Sequence, residues 1–182
     1  YVAIVPDYYH RHSQSPAEPE RESRPEAASL GDAGLIAYGI TLISYLRRMP
    51  EVDPNQIGLL GFGTGGRIAH VQATAIEDFR AIVAYCPADL WVPWGDGPSP
   101  IDRSSGIRAP LLYIFGEKDS VLSRDQVAEL DREFSRLGKM HEFRTYPGAG
   151  RNFQSISSAN YDEPAAAESW FQFLRFFKRQ LG

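Results

Sequence analysis

The segment Leu59-Leu60-Gly61-Phe62-Gly63-Thr64-Gly65-Gly66 constrains this chain more than any other. It has the frame of a nucleophile elbow. In a G-x-S-x-G elbow the chain turns sharply from a strand into a helix, and a Ser or Cys at the middle position stands exposed above the sheet. The strand Gln56–Leu60 leads into Gly61 and Gly65 at the required spacing, but position 63 is glycine and has no side chain. The motif therefore points to a strand-turn-helix unit in an α/β protein, and it lacks the atom such a turn normally presents.

The rest of the sequence agrees with that unit. Strand-length apolar runs at Tyr1–Pro6, Gln56–Leu60, Ala81–Tyr85, Pro110–Phe115 and Glu142–Tyr146 alternate with helical patterns. The helices are expected over Asp32–Met49, Gly65–Ile76, Ser123–Leu137 and Glu163–Leu181. In the first, Leu35, Ile36, Ile40, Ile43 and Leu46 recur at the helical period, and Pro50 stops it. Ser123 with Gln126 three residues on is a capping-box pattern. Trp170, Phe173, Leu174 and Phe177 share a face of the closing helix. Asp7–Ser29, with Pro16, Pro19 and Pro25, reads as a surface loop, and Cys86–Arg108 as a long connection rich in Pro, Gly and Trp. Strict alternation predicts one domain over residues 1–182, with a mostly parallel sheet covered on both faces. Ligands of such sheets gather at the carboxyl ends of the strands. Gly63, Asp119 and Arg151 all follow strand ends and are expected on that edge.

Composition narrows the partners. The formal net charge of −4 is spread as mixed signs, which argues against a nucleic-acid partner. No apolar run approaches the length of a membrane span, and no basic, apolar leader opens the chain. One cysteine, Cys86, forbids an internal disulfide and suits a reducing compartment, so a cytoplasmic location is expected. The chain opens inside an apparent core strand without an initiator Met, which predicts that it lacks the first strands of its sheet. Oligomeric state is left open.

Where a triad is built on an elbow of this kind, its chain order is nucleophile, acid, His. Gly116-Glu117-Lys118-Asp119 places Asp119 directly after the fourth strand, and the third member belongs within Tyr146-Pro147-Gly148-Ala149-Gly150-Arg151-Asn152-Phe153. With Val5-Pro6-Asp7-Tyr8-Tyr9 and Arg11, Val52-Asp53-Pro54 through Gly66-Arg67, and the final helix with Ala166 and Trp170, the chain resembles the dienelactone hydrolase family nearly end to end. The resemblance implies an α/β-hydrolase fold that acts on a small ester, lactone or carboxylate without cofactor or metal. It places the nucleophile at Gly63, the acid at Asp119, the His at Arg151 and a substrate-carboxylate contact at Arg11. It makes the Thr64 backbone N–H an oxyanion donor. The first core strands, and the loop that gives a second oxyanion donor and an activating Glu, would precede Tyr1.

Two triad positions are thus substituted. Glycine cannot attack a carbonyl, and an arginine, protonated at any ordinary pH, cannot serve as general base. Loss of a complete triad costs roughly 10⁶ in turnover. Substitutes are weak: the Thr64 side chain should point away, Cys86 reads as a small buried hydrophobe, and His70 as a packed or surface residue. His10 and His12 fall on the first loop, and His141 starts a strand far from the chemistry. Three consequences are expected. Gly63 relieves the strain of the elbow. Arg151 pairs with Asp119. The vacated space is either closed by that pair or left as an anion pocket formed by Arg151, Arg11 and the helix N-terminus. Trp91 and Trp94 either wall a substrate pocket or cover the core. The readings are an impaired hydrolase, an ordinary hydrolase altered by single-base changes at positions 63 and 151, and a non-catalytic binding module of the same fold.

Overall fold

The computed structural model describes residues 1–8 and 28–182. Helix α1 (Gly31–Leu46) precedes strand β1 (Ile57–Phe62), helix α2 (Thr64–Ala75) and strand β2 (Phe79–Tyr85). A 3-10 helix (Ile101–Gly106) leads to β3 (Leu111–Lys118), α3 (Arg124–Arg136), β4 (His141–Gly150) and the closing α4 (Glu163–Leu181). The four strands are parallel in the order β1-β2-β3-β4. Leu60 pairs with Val83, and Val83 with Leu112.

Because each parallel step moves the chain the same way across the sheet, right-handed crossovers put α2 and α3 on one face. There Ile82, Tyr113 and Phe115 pack with Ala69, Ala73 and Phe134. The other face is left to α4, where Val83, Tyr85 and Ile114 meet Phe173, Phe176 and Phe177. The inner strands β2 and β3 are buried on both faces, which is why they read as continuous apolar runs rather than alternating ones. Helix α1 lies on α2 at Gly39, where a Cβ would come within 2.8 Å of Gln72 and Ile76 side-chain atoms. The capping box at α3 forms as expected: Ser123 Oγ accepts from Gln126 N at 3.2 Å, and Gln126 Oε1 accepts from Ser123 N at 3.0 Å.

The sequence expectation fails at Tyr1–Pro6. The segment is not a strand, and Tyr1 and Val5 are 79% and 92% exposed. An apolar run becomes a strand only where a neighbour can take its backbone hydrogen bonds. Here a cleft separates the segment from β1. A second difference lies on α4, where Trp170 and Leu174 are 49% and 38% exposed while Phe173 and Phe177 are buried. The connection Cys86–Arg108 is long, but Leu90, Trp94 and Ile101 within it are buried, so it forms part of the core.

Two buried polar clusters hold this architecture. The Arg67 guanidinium has no exposed surface. It donates to Asp32 Oδ1 at 2.6 Å and to the carbonyls of Asp89 and Val92, and it lies 3.8 Å from the centre of the Trp94 ring. Asp32 N in turn donates to Trp94 O at 2.8 Å. A buried charge is tolerated only when paired and hydrogen-bonded, and this one ties α1, α2 and the loop after β2 together. Removing its counter-charge leaves an uncompensated cation: Asp32→Ala is expected to lower stability by about 3–5 kcal/mol in urea denaturation.

The second cluster is centred on His70, also fully buried. Its Nε2 lies 3.0 Å from Pro100 O, which can only accept, so Nε2 carries the proton. Nδ1 then accepts from the Tyr113 hydroxyl at 2.6 Å, and burial pushes that phenol's pKa up, so it remains a donor. The neutral ring is fully satisfied. Burial lowers the His70 pKa from 6.5 to about 4, because the charged form would be desolvated. The unfolded chain therefore binds the proton first. The stability contributed by neutral His70 is complete above pH 6.5 and is lost as pH falls from 6.5 towards 4, by about 3 kcal/mol in all. Denaturation across pH 4–7 should show that slope, and His70→Gln should lose most of it.

Candidate functional site

The site is built at the carboxyl ends of the strands, beginning with the turn from β1 into α2. Gly63 has φ 53° and ψ −113°, a conformation that L side chains rarely adopt. Its N–H donates to Tyr85 O at 2.8 Å, which pins the turn to the end of β2. A Cβ at Gly61 would lie 2.1 Å from Gly65 O, so the turn closes this tightly only with glycine at 61. Position 63 differs. A Cβ there would meet Arg151 Nη2 at 3.4 Å and Asn152 Oδ1 at 3.8 Å, both ordinary contacts. Position 63 thus has room for a Cβ, and its positive φ is one that glycine adopts without the strain a side chain would add. Thr64 follows as the first residue of α2, and its N–H has no acceptor within the helix.

Asp119 stands on the tight turn after β3. Its Oδ1 accepts from Val121 N at 2.8 Å and Leu122 N at 3.2 Å. Arg151 Nη1 lies 3.3 Å from both carboxylate oxygens, so the expected ion pair forms. The Asp119 carboxylate is buried and the guanidinium nearly so. Gly116 makes the meeting possible: a Cβ there would lie 2.4 Å from Gly150 O, and its absence lets the end of β4 close on β3. Asn160 Nδ2 donates to Arg151 O at 3.0 Å and holds the loop from outside.

Cys86 joins the same group. It ends β2 with φ 44°, is fully buried, and its thiol lies against Asp119 and the main chain of Gly116 and Asn152. Burial, with the Asp119 charge adding to it, pushes the thiol up to about 11. It stays protonated near neutral pH and offers no thiolate. Sequence reasoning read Cys86 as a small buried hydrophobe but missed its contact with Asp119, and missed Asn152, which follows Arg151 at the rim with φ 58°.

Gly63, Asp119 and Arg151 are therefore brought together, with Thr64 beside them. The tryptophans are not. Trp94 is buried beneath Arg67, and Trp91 packs on the core with Nε1 donating to Glu129 Oε1 at 3.0 Å. Both cover the core, Trp94 against the buried charge of Arg67 and Trp91 against the α3 flank. Arg11, His10 and His12 lie outside the described residues. His141 binds Asp131 Oδ1 at 2.9 Å at the start of β4, away from the site. Among the described residues no cluster of three His, Cys, Asp or Glu is placed to hold a metal ion. None of their helices is long and apolar enough to cross a membrane.

A strand-turn-helix elbow beside an acid after the next-but-one strand defines the α/β-hydrolase class, and the solved structures agree. A Klebsiella pneumoniae protein named "Putative Dienelactone Hydrolase" superposes with a TM-score of 0.76 at 24% identity, over 87% of this chain and 68% of that one. A metagenomic protein described as a dienelactone hydrolase-like promiscuous phosphotriesterase superposes with a TM-score of 0.70 at 20% identity, over 82% and 63% of the two chains. The model of the dienelactone hydrolase family matches residues 1–181, and the chain belongs to that family. A Synechocystis protein named "Putative carboxymethylenebutenolidase" is 28% identical across the whole chain, which spans 76% of that relative.

The elbow geometry has a direct energetic consequence. Gly63→Ala has room for its methyl group but must adopt the positive φ, and it is expected to destabilise the protein by about 1–3 kcal/mol in thermal or urea unfolding.

Proposed function

We propose that this chain is a dienelactone-hydrolase-like domain for a small ester or lactone, and that its hydrolysis is impaired at the triad. The observation that carries the reading is the pairing of Arg151 with Asp119 beside a side-chain-free Gly63.

Hydrolysis by a triad needs an attacking atom, a base within reach of it and a carboxylate that orients the base. The third part persists: Asp119 is held by two backbone N–H groups. It now orients a guanidinium, which cannot accept a proton. The position of the attacking atom is open, with Arg151 Nη2 facing it. The orphan N–H groups at the start of α2 still favour an oxyanion, so polarisation of a bound carbonyl is retained without a nucleophile. Cys86 does not replace it, since its thiol is buried and protonated. The alternative, a non-catalytic anion pocket in the same place, has less behind it, because Asp119 already meets the charge of Arg151.

The test is reversion. The chain as it stands is expected to hydrolyse a short-chain nitrophenyl ester no faster than buffer. Gly63→Cys combined with Arg151→His is expected to raise turnover by at least 10²-fold, because the position accepts a Cβ and Asp119 is in place to orient the imidazole. Each single variant should remain near the starting level, since the triad acts as a unit. Hydrolysis by the unaltered chain at the rate of the double variant would overturn the reading.

A further inference from the structure

Strands β3 and β4 do not stay in register to their ends. Pairing runs regularly from Leu111 with His141 to Gly116 with Tyr146, then resumes at Lys118 with Gly150. Glu117 alone therefore stands opposite Pro147, Gly148 and Ala149, a bulge in β4. Side-chain direction records the same break. Tyr146 and Ala149 are three residues apart, yet both pack into the cluster under α4, which the two-residue alternation of a regular strand forbids.

The bulge decides where residue 151 goes. In an unbroken ladder Lys118 would pair with Gly148, and residue 151 would be carried two residues, about 7 Å, further along the strand. With the bulge, Gly150 lies beside Lys118, and the residues that follow the two are Arg151 and Asp119, which pair. Bulges between parallel strands are uncommon, and this one is tied down by a side chain. Pro147 has no N–H to give. The Gly148 N–H, on a residue with φ 75°, donates to Glu117 Oε2 at 2.9 Å. The other oxygen, Oε1, accepts from Arg124 Nη2 at the start of α3, at 2.5 Å. The Arg124 side chain is 74% exposed, so that ion pair contributes little, and the charge-assisted bond to the bulge is the firmer of the two.

We propose that Glu117 is a positioning residue of the site: its carboxylate holds the β4 bulge in the shape that aims residue 151 at Asp119. The inference rests on the reading of positions 63, 119 and 151 as those of a triad, and adds a residue to it. Whichever side chain stands at 151, arginine or a restored histidine, it reaches Asp119 only by way of the bulge. One strand end then sets both partners. Strand β3 leads into the turn that carries the acid and, two residues earlier, supplies the group that presents its partner.

The test compares Glu117→Ala, Glu117→Gln and Arg124→Ala. Glutamine keeps an oxygen that can accept from Gly148 N, alanine keeps none, and Arg124→Ala removes only the ion pair. In the otherwise unaltered chain the readout is the Arg151 guanidinium by heteronuclear NMR, assigned by its loss in Arg151→His. Pairing with Asp119 slows rotation within the guanidinium. Separate Nη signals are therefore expected in the unaltered chain, in Glu117→Gln and in Arg124→Ala, and a merged signal in Glu117→Ala. In the Gly63→Cys, Arg151→His background, Glu117→Ala should lower kcat by about 10-fold or more with KM nearly unchanged, and Glu117→Gln should keep most of the rate. Separate Arg151 signals in Glu117→Ala overturn the proposal, as does equal merging in Arg124→Ala or a loss confined to KM. If the doubly substituted chain hydrolyses nothing, the triad reading fails, and the Arg151 signals still decide the role of Glu117.

Discussion

A guanidinium without access to water sits at the first turn of α2, and much of the functional edge is arranged around it. Desolvating a charge costs several kcal/mol unless partners replace the lost water. Arg67 is given a carboxylate from α1, two carbonyls from the loop after β2 and the face of Trp94. These partners come from separate stretches of chain, so each must be in place before the charge is tolerated. The loop after β2 therefore folds back over α2 instead of reaching across the site. Arg67 N also donates to Gly63 O at 3.2 Å, which joins the clamp directly to the elbow.

On the proposed reading, the site keeps the electrostatics of a triad without its chemistry. A carboxylate in the interior needs donors. Asp119 has two backbone donors from its own turn, and these do not depend on the residue that occupies position 151 after β4. An arginine in place of an imidazole completes that demand with a permanent charge. Cys86 is kept inert by burial and by Asp119, whatever occupies position 151, since a second negative charge is disfavoured there.

How much was legible in the sequence depended on the range of the interactions. The elbow, the capping box at Ser123 and the parallel order of β1–β4 rest on spacing within a few residues or on alternation of elements, and all three are present. The Arg151–Asp119 pair was legible because the resemblance sets the acid at Asp119 and the His at Arg151, two positions that must meet. The role of Trp94 was not, because its partner Arg67 lies on a different element and nothing local marks that arginine as buried. Tyr1–Pro6 misled for the opposite reason. Its local pattern is that of a strand, but strand formation requires a partner, and its nearest strand lies across a cleft.

The cleft and the elbow are parts of one constraint. Both α1 and α4 bury their inner faces in the core around the four strands, and both extend apolar surface beyond β1. The edge strand β1, which has no outer backbone partner among the described residues, ends in the turn at Gly63. An oxyanion site draws its donors from the chain on both sides of the reacting carbon, and α2 supplies only the Thr64 side. A side chain placed at Gly63 tests the chemistry of the turn, whereas the Arg151–Asp119 pair and the N–H groups at the start of α2 set the electrostatics around it, and the two can be varied separately because they lie on different elements.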